Sequence, residues 1–374
     1  MGAQTTDLRR TQFSFSQART LVGDLQKPNP KIYWTDFLLS IITGHLAFHA
    51  MYFLPKWLPS GSAWLWPLMA ASFVTCVLLY MRCAMFIHEL VHLPRNEFKA
   101  FRIAWNALCG IFFLIPSFLY YPHVDHHRRK HYGTDHDGEY ISLSHHGPWM
   151  IVGFLAQALV IPLLAFARFL IISPICWLIP GARSYVHKHA STMVVDPFYE
   201  RNDDSPRLRK LIIVQEVLCF AWCVWFLVRG YVMRGELLDP FWLIAYVVGV
   251  SLILLNEIRT LGAHRWTGTG EEMSFEDQLL DSVNYPDRPW ITELWGPIGT
   301  RYHALHHLFP SLPYHNLGAA HRRLMEGLPK DSPYRFTVAK SLTSEIIALF
   351  KRSMASVRNN RASSLTVEAS TGSS

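Results

Sequence analysis

Long apolar runs alternate with shorter polar segments along the chain, and their lengths indicate membrane-spanning helices. Each run approaches the roughly 20 residues that an α-helix needs to cross a bilayer. The clearest runs cover residues 34–54, 64–87, 211–228 and 241–258. Pro55, Pro59 and Gly61 mark a turn between the first two runs, and Gly230 and Gly235 mark a turn between the last two. The pattern predicts an all-α integral membrane fold with four transmembrane helices in two hairpins.

Two further apolar stretches, residues 103–121 and 149–180, lie between the hairpins, and hydropathy alone leaves their paths open. Pro162, Arg168 and Pro174 interrupt the second stretch, which is also short for two crossings of roughly 20 residues each. We therefore expect interfacial helices or a re-entrant arrangement in the second stretch. We expect the first stretch to dip into the membrane without crossing it.

The distribution of Lys and Arg predicts the side of the membrane that each polar segment faces. These residues are dense before residue 34, in residues 82–148 and 183–210, and after residue 258, but sparse in both hairpin turns. Because cytoplasmic loops are enriched in Lys and Arg, the dense segments and both termini are expected in the cytoplasm. The N-terminal segment also lacks the short apolar core and cleavage site of a signal peptide.

These features divide the chain into four parts. We expect a cytoplasmic N-terminal segment, transmembrane hairpins with a cytoplasmic insertion, a cytoplasmic histidine-rich cap and a disordered tail rich in Ser and Thr. Their respective bounds are residues 1–33, 34–258, 259–361 and 362–374.

Composition supports the membrane class and excludes some others. Half of the 374 residues are apolar and only 17% are charged. The net charge of +7 is spread over several loops rather than gathered with aromatic residues on one face, so nucleic acid is not an expected partner. The six cysteines show neither CxxC spacing nor a regular framework, which predicts no disulfide scaffold. The 19 histidines are the unusual feature, because a lipid-facing surface has no use for them.

Eight of the histidines fall into three clusters with metal-ligand spacing. The clusters are His88 and His92 in HxxxH, His123, His126 and His127 in HxxHH, and His303, His306 and His307 in HxxHH. Helical residues three and four apart share a face, so each cluster can aim two or three imidazoles at one point. A single tetrahedral zinc ion cannot use eight ligands, whereas two iron ions can. We therefore predict a di-iron centre at the cytoplasmic rim of the bilayer.

The three clusters resemble those of the membrane fatty acid desaturase family, as does the phrase YHALHHLFP at residues 302–310, and the resemblance covers about residues 34–325. It implies an enzyme that uses two iron ions and dioxygen to introduce a double bond into the acyl chain of a lipid. The family also carries a lone histidine ligand after its last membrane span, and the phrase RTLGAH at residues 259–264 resembles that segment. The resemblance adds His264 as a ninth candidate ligand. No catalytic residue beyond the metal centre is implied.

Two departures refine the resemblance. The acyl-CoA desaturases of the family carry an Asn that holds a metal-bound water four residues before the lone histidine, and this chain has Thr260 there. The third cluster begins with His303 rather than Gln, and the His-Pro-Gly-Gly phrase of a fused cytochrome b5 is absent. In having His303 and in lacking the His-Pro-Gly-Gly phrase, the chain is similar to family members that take electrons from a separate donor protein of the ferredoxin or cytochrome b5 type. The membrane would be a bacterial inner membrane or the endoplasmic reticulum.

Three alternatives remain open. His88, Glu89 and His92 also spell the HExxH motif of zinc proteases, although a membrane metalloprotease leaves both HxxHH clusters unexplained. A hydroxylase or ketolase with the same iron chemistry, acting on an alkane, carotenoid or sterol type of substrate, has the same spacing. A carrier that moves metal across the bilayer would place ligands within the spans, where only His45 and His49 lie.

The remaining histidines and nearby carboxylates complete the set of candidates. His131 follows His127 by four residues and is an alternative ligand, whereas the other histidines are expected to be solvated or to support the site. Metal-bound imidazoles usually donate their second N–H group to a carboxylate or carbonyl. The candidates for that role are Glu89, Asp125, Asp137, Glu139 and Glu257.

Overall fold

A computed structural model describes residues 13–94, 97–202, 204–235 and 239–371. The chain is 71% helical, and no strand occurs within these ranges, which confirms the all-α class. The helices are α1 (Phe15–Val22), α2 (Pro30–Trp57), α3 (Leu65–His92), α4 (Lys99–Trp105), α5 (His123–His126), α6 (Pro148–Ala156), α7 (Ile161–Ala167), α8 (Ser173–Leu178), α9 (Pro180–His189), α10 (Pro206–Arg234), α11 (Pro240–Ala263), α12 (Phe275–Asp281), α13 (Pro289–Trp295), α14 (His303–Leu308), α15 (Tyr314–Gly327) and α16 (Leu342–Thr371).

Five helices in the described part of the chain are long and apolar enough to cross a membrane. Four of them, α2, α3, α10 and α11, coincide with the four predicted runs, which are confirmed as long apolar helices. The fifth is Ile161–Leu178, in which α7 and α8 are joined by a π-helical turn at Arg168–Ile172. This helix lies in the stretch for which interfacial helices or re-entry were predicted, so the number of crossings does not follow from helix length alone.

Three of the long helices begin with residue types that favour the start of a helix. α2, α10 and α11 each begin with proline directly after a capping residue, Asn29, Ser205 or Asp239, whose side chain accepts a backbone N–H of the first turn. Proline at the first helical position needs no hydrogen-bond partner, and the cap satisfies one of the free N–H groups. α10 ends at Gly235, whose φ of 72° is a left-handed conformation that glycine adopts without strain.

Residues 103–121 run along α3 and then turn back. The indole Nε1 of Trp105 donates to the Cys83 carbonyl over 2.8 Å, and the ring of Phe113 lies 4.5 Å from that of Tyr80. The chain then returns, and the Tyr120 ring lies 6.3 Å from the ring of His88. The segment therefore leaves and rejoins the same end of α3.

Residues 148–189 also turn back within the bundle. The Tyr246 hydroxyl of α11 donates to the Leu159 carbonyl over 2.9 Å, which places the turn far from the C-terminal end of α11. After the turn, Arg168 forms a buried ion pair with Glu216 of α10 at 2.7 Å, and Arg183 of α9 lies 3.5 Å from the same carboxylate. This segment fills the space beside α10 and α11.

The four predicted parts of the chain do not coincide with helix boundaries. α2 begins at Pro30 rather than at residue 34, and α11 continues to Ala263 across the expected boundary at residue 258. The backbone of residues 362–371, for which the composition predicts disorder, continues α16. Residues 1–12 of the expected cytoplasmic segment and 372–374 of the expected tail lie outside the described residues.

Candidate metal centre

The three histidine clusters lie on separate short helical pieces that meet at one end of the long helices. His88 and His92 occupy the last turns of α3, the second cluster forms α5 with its C-cap, and the third cluster begins α14. α3 contacts α5, and rings from all three clusters stand side by side. The ring centroids of His88 and His306, for example, lie 4.2 Å apart. The predicted convergence of distant histidines is therefore present in the structure.

The nine candidate ligands form two groups, in each of which the ligand atoms all lie within 4.8 Å of one another. We call them the five-histidine group and the four-histidine group. The first contains His88, His92, His123, His127 and His306, and the second contains His126, His264, His303 and His307.

Each HxxHH motif contributes to both groups. His123 and His127, four residues apart, belong to the five-histidine group, while His126 between them belongs to the other. In the third cluster the pair four residues apart joins the four-histidine group, while His306 crosses to the five-histidine group. The two motifs thus interlock, and they tie the groups into one double site.

The ring nitrogens face one another without intervening donors or acceptors. The Nε2 atoms of His264 and His303 are 2.8 Å apart, and those of His303 and His307 are 3.1 Å apart. The buried Nε2 atoms of His88 and His306 have no hydrogen-bond partner at all. Buried polar atoms are normally paired, so nitrogens that converge in this way fit a metal ion between them. The residues present therefore fit a pair of metal ions with imidazole ligands.

Carboxylates and a phenol hold several of the rings from behind. The Nδ1 atom of His126 lies 2.8 Å from Asp137, which is completely buried. The Nδ1 atom of His264 lies 2.8 Å from the Tyr132 hydroxyl, which itself donates to Asp281 over 2.8 Å. Such partners fix the orientation of a ligand ring and leave its second nitrogen free for a metal.

Glu139 stands in the same relation to the second cluster at a longer distance, since its Oε1 lies 3.4 Å from the Nδ1 of His123. Burial raises the pKa of this carboxyl to about 7, and the charges of His126 and Arg259 act against the rise. Asp137 and Glu139 were among the carboxylates predicted to orient the ligands. Tyr132 and Asp281 were missed, because nothing in their spacing connects them with His264.

The histidines outside the long helices are held in the neutral form that metal binding needs. Burial lowers the pKa of His123, His127, His303, His306 and His307 well below the usual range, and neighbouring imidazoles lower these pKa values further. His126 is the exception, because Asp137 outweighs burial and raises its pKa. A carboxylate that favours the proton on Nδ1 leaves Nε2 of His126 as the ligand atom.

The remaining predicted carboxylates point elsewhere. Glu89 accepts hydrogen bonds from the Tyr33 hydroxyl and from the backbone N–H of Tyr314, the latter over 3.1 Å. Asp125 accepts from the Tyr199 hydroxyl over 3.1 Å and pairs with Arg128. Both oxygens of Glu257 are buried without a hydrogen-bond partner. Neither Glu89, Asp125 nor Glu257 contacts a ring nitrogen of the two groups in the described part of the chain.

The other candidate histidines also lie apart from the two groups. His45 bonds to the Tyr80 hydroxyl over 2.5 Å, and the ring of His49 packs on Phe53 and Phe241. His131 belongs to neither group, and its Nδ1 lies 3.9 Å from the Asp125 carboxylate. Thr260, the position at which the resemblance put a water ligand in doubt, accepts a hydrogen bond from Arg259.

Two cavities differ in where they lie, one at the double site and one among the long helices. A cavity of about 740 Å³ opens beside the double site and is lined by His126, His127 and His307 together with Phe13 and Phe275. A second cavity, of about 270 Å³, lies among the long helices and has an apolar lining that includes Tyr80 and Leu252. Three histidines of the double site therefore line the first cavity, whereas the lining of the second, apolar cavity contains none of the nine ligand candidates.

Fold and site together define an all-α membrane protein in which three distant sequence motifs and a lone histidine build a buried double cluster of imidazoles. The family model for fatty acid desaturases matches residues 64–338. The chain belongs to the fatty acid desaturase family, as the motifs predicted.

The chain is also similar to a ceramide hydroxylase of Caulobacter vibrioides (strain NA1000 / CB15N). The two sequences are 37% identical over 339 residues, which cover 90% of this chain and 93% of the relative. No solved structure matches the chain at a significant level.

Proposed function

We propose that the chain is a di-iron, dioxygen-dependent hydroxylase that acts on the hydrocarbon chain of a lipid of the ceramide type. The observation that carries the proposal is the similarity to a ceramide hydroxylase along nearly the whole of both chains. The sequence motifs alone favoured desaturation and left hydroxylation as an alternative. The relative supports that alternative better than the desaturase prediction.

The nine histidines of the two groups would hold the iron ions. When bound, a reduced di-iron centre supplies the activation of dioxygen that attack on an unactivated C–H bond requires. The balanced reaction is R–H + O2 + 2 electrons + 2 protons giving R–OH + H2O. Desaturation consumes the same oxygen, electrons and protons but removes hydrogen from two adjacent carbons, giving an alkene and two molecules of water.

The protein's own residues position and shield this chemistry. Asp137 and the pair of Tyr132 and Asp281 hold His126 and His264 from behind, so the ring nitrogens keep their direction when a metal is absent. Six of the nine imidazoles are at least 95% buried, which limits the contact of the centre with bulk water. A dry, pre-oriented site favours oxidation of the substrate over loss of reducing equivalents to solvent.

The apolar cavity is suited to the chain of the substrate. Helices α2, α3, α10 and α11 line it together with the turning parts of both apolar segments that fold back, residues 112–115 and 161–166. Its walls hold little polar surface, so a hydrocarbon chain is the natural occupant. Phe48, Trp222 and Phe226 are among the bulky side chains that limit how far such a chain can extend.

The contacts of the two returning segments support four crossings with the metal site on the cytoplasmic side. The first segment begins and ends near the C-terminal end of α3, and the turn of the second lies far from the C-terminal end of α11, as re-entry requires. Most Lys and Arg residues are in the segments at that end, which agrees with a cytoplasmic placement in a bacterial inner membrane or the endoplasmic reticulum. Residues 259–361 would then form the cytoplasmic cap.

A separate protein of the ferredoxin or cytochrome b5 type would supply the two electrons. The cavity lined by His126, His127 and His307 supports this part of the proposal, because it brings three candidate ligands to an opening outside the apolar helices. The exposed Arg129 at its edge offers a positive charge to an acidic carrier.

The proposal is tested by total lipid analysis in cells that express the chain or its His307→Ala variant. Mass spectrometry should find a lipid that gains one oxygen atom with the intact chain and not with the variant. A lipid that loses two hydrogen atoms instead would establish desaturation, which the family as a whole supports as the second candidate. Stoichiometric zinc with peptidase activity in the purified protein would overturn both.

A further inference from the structure

Arg259 is a buried arginine without an acidic partner. Its exposed fraction is 9%, and its guanidinium donates to the Asn256 amide oxygen at 3.0 and 3.1 Å and to the Thr260 hydroxyl at 3.0 Å. Both acceptors are neutral and lie on the same helix, α11. No carboxylate of the described residues lies within ion-pair distance of it. An uncompensated charge at this depth is costly, and such residues commonly mark a binding site.

The position of Arg259 along α11 places it between the apolar cavity and the metal centre. Ala245 and Leu252 line the cavity, and Arg259 follows them at intervals of seven residues, which keeps all three on one face of the helix. Two helical turns separate the Cα atom of Arg259 from that of Leu252 by roughly 10 Å, toward the end of α11 that carries His264. On the facing helix α3, Tyr80 of the cavity lies two turns before His88 of the five-histidine group.

Arg259 is a hydrogen-bond donor whose surroundings include groups that can accept hydrogen bonds. Its charge acts on His88, on the Tyr120 hydroxyl and on the Glu139 carboxyl. Tyr120 stacks on His123 with ring centroids 4.6 Å apart, so this polar region borders the metal centre directly. Arginine can only donate hydrogen bonds, whereas a carboxylate oxygen can accept more than one, and the Oε1 of Glu139 has no hydrogen-bond partner beyond its 3.4 Å contact with the Nδ1 of His123.

We propose that Arg259, supported by Asn256 and Thr260, is a positioning residue that binds an uncharged oxygen of the lipid head group, a hydroxyl or an amide carbonyl. The proposal rests on the proposed function, and it specifies the substrate of that same site. A hydroxyl suits the region well, because it can accept from Arg259 and donate to an acceptor such as Glu139. With the head held here and the chain in the cavity below, the oxidised carbon is one close to the head group.

The test uses the full-length protein in lipid nanodiscs and two substrates, a ceramide and its analogue that lacks the head-group hydroxyl. Arg259→Gln should raise KM for the ceramide roughly tenfold or more, the effect of losing a hydrogen bond to a charged donor. The same variant should leave KM for the analogue unchanged and should keep the iron content of the wild type. Arg259→Lys, which retains a charge, should recover part of the loss.

Arg323→Gln is the matched control, because Arg323 pairs with Asp24 in an exposed ion pair far along the chain. It should leave both KM values as in the wild type. The position of the new hydroxyl, found by tandem mass spectrometry, gives a second readout. Arg259→Gln should spread oxidation over several neighbouring carbons, since the head no longer fixes the chain.

Equal losses for the ceramide and the analogue, or a fall in iron content, would overturn the inference and make Arg259 a purely structural residue. If the wild type oxidises neither lipid, the proposed function fails, and equilibrium binding then decides the inference alone. Tighter binding of the ceramide than of the analogue by the wild type, with no such difference in Arg259→Gln, supports the head-group site. The same affinity for both lipids in the wild type refutes it.

Discussion

The Nδ1 atom of His126 lies 2.8 and 2.9 Å from the two carboxylate oxygens of Asp137, which is inaccessible to solvent. This contact orients the ring toward the four-histidine group and strengthens its Nε2 as a ligand.

Asp137→Asn should therefore lower iron affinity by about 10–100-fold, because the amide no longer supplies the negative charge that stabilises the ring. Competition against a chelator of known affinity measures the change. Asp125→Asn is the control, since Asp125 bonds to Tyr199 and Arg128 rather than to a ligand ring. Equal iron affinity in Asp137→Asn and the wild type would contradict the assigned role.

The division into two groups predicts separate losses of iron. His264→Ala removes one of four imidazoles from the four-histidine group and leaves the five-histidine group intact. Purified variant should contain about one iron per chain where the wild type contains about two, measured by plasma mass spectrometry. His146→Ala, which removes an exposed histidine, should retain the wild-type content. Loss of both ions in His264→Ala would mean that the groups do not bind independently.

The role of Glu89 distinguishes the oxygenase interpretation of the HExxH motif from the protease interpretation. It accepts from Tyr33 and from the Tyr314 backbone, so its role is to hold α3 against its neighbours. Glu89→Gln keeps an acceptor oxygen, and we expect iron content and lipid oxidation to persist. Removing a donor instead, as in Tyr33→Phe, should lower the free energy of unfolding by about 1 kcal/mol. Complete loss of activity in a folded, iron-loaded Glu89→Gln protein would contradict this assignment.

Acid should release the metal of the five-histidine group only well below neutral pH, because His126, the ligand candidate whose pKa is raised, belongs to the other group. Protons compete with metal for imidazole, and burial holds the pKa of His123, His303, His306 and others far below the usual value near 6.5. These rings thus stay neutral as the pH falls through 6.5, and release begins at lower pH. Iron retained after dialysis across a pH series measures this, and loss of both iron ions at pH 6.5 would be inconsistent with it.

The sequence was sufficient to find the nine ligand candidates but not their division into two groups. Spacing indicates which imidazoles share a face, and His123 with His127 do fall in one group. It does not indicate that the neighbouring His126 faces the second group, because that depends on how α5 packs beside α14. His45 and His49 were placed correctly apart from the clusters, since depth along a helix follows from residue count.

The long helices were predictable for a similar reason, whereas the returning segments were not. Apolar length identifies α2, α3, α10 and α11 directly. Ile161–Leu178 meets the same criterion, and only contacts such as Arg168 with Glu216 reveal its path. The partners Tyr132 and Asp281 of His264 arise from tertiary folding between sequence-distant segments, which leaves no local pattern in the sequence.

Both groups include a histidine of α14, so neither is complete in a nascent chain that ends before residue 303. All the long apolar helices precede that point. If the two groups hold iron as proposed, iron loading would follow the synthesis of those helices, as a late step of biogenesis. A cell short of iron would accumulate inserted, metal-free protein whose opposed imidazoles remain ready for activation once the metal returns.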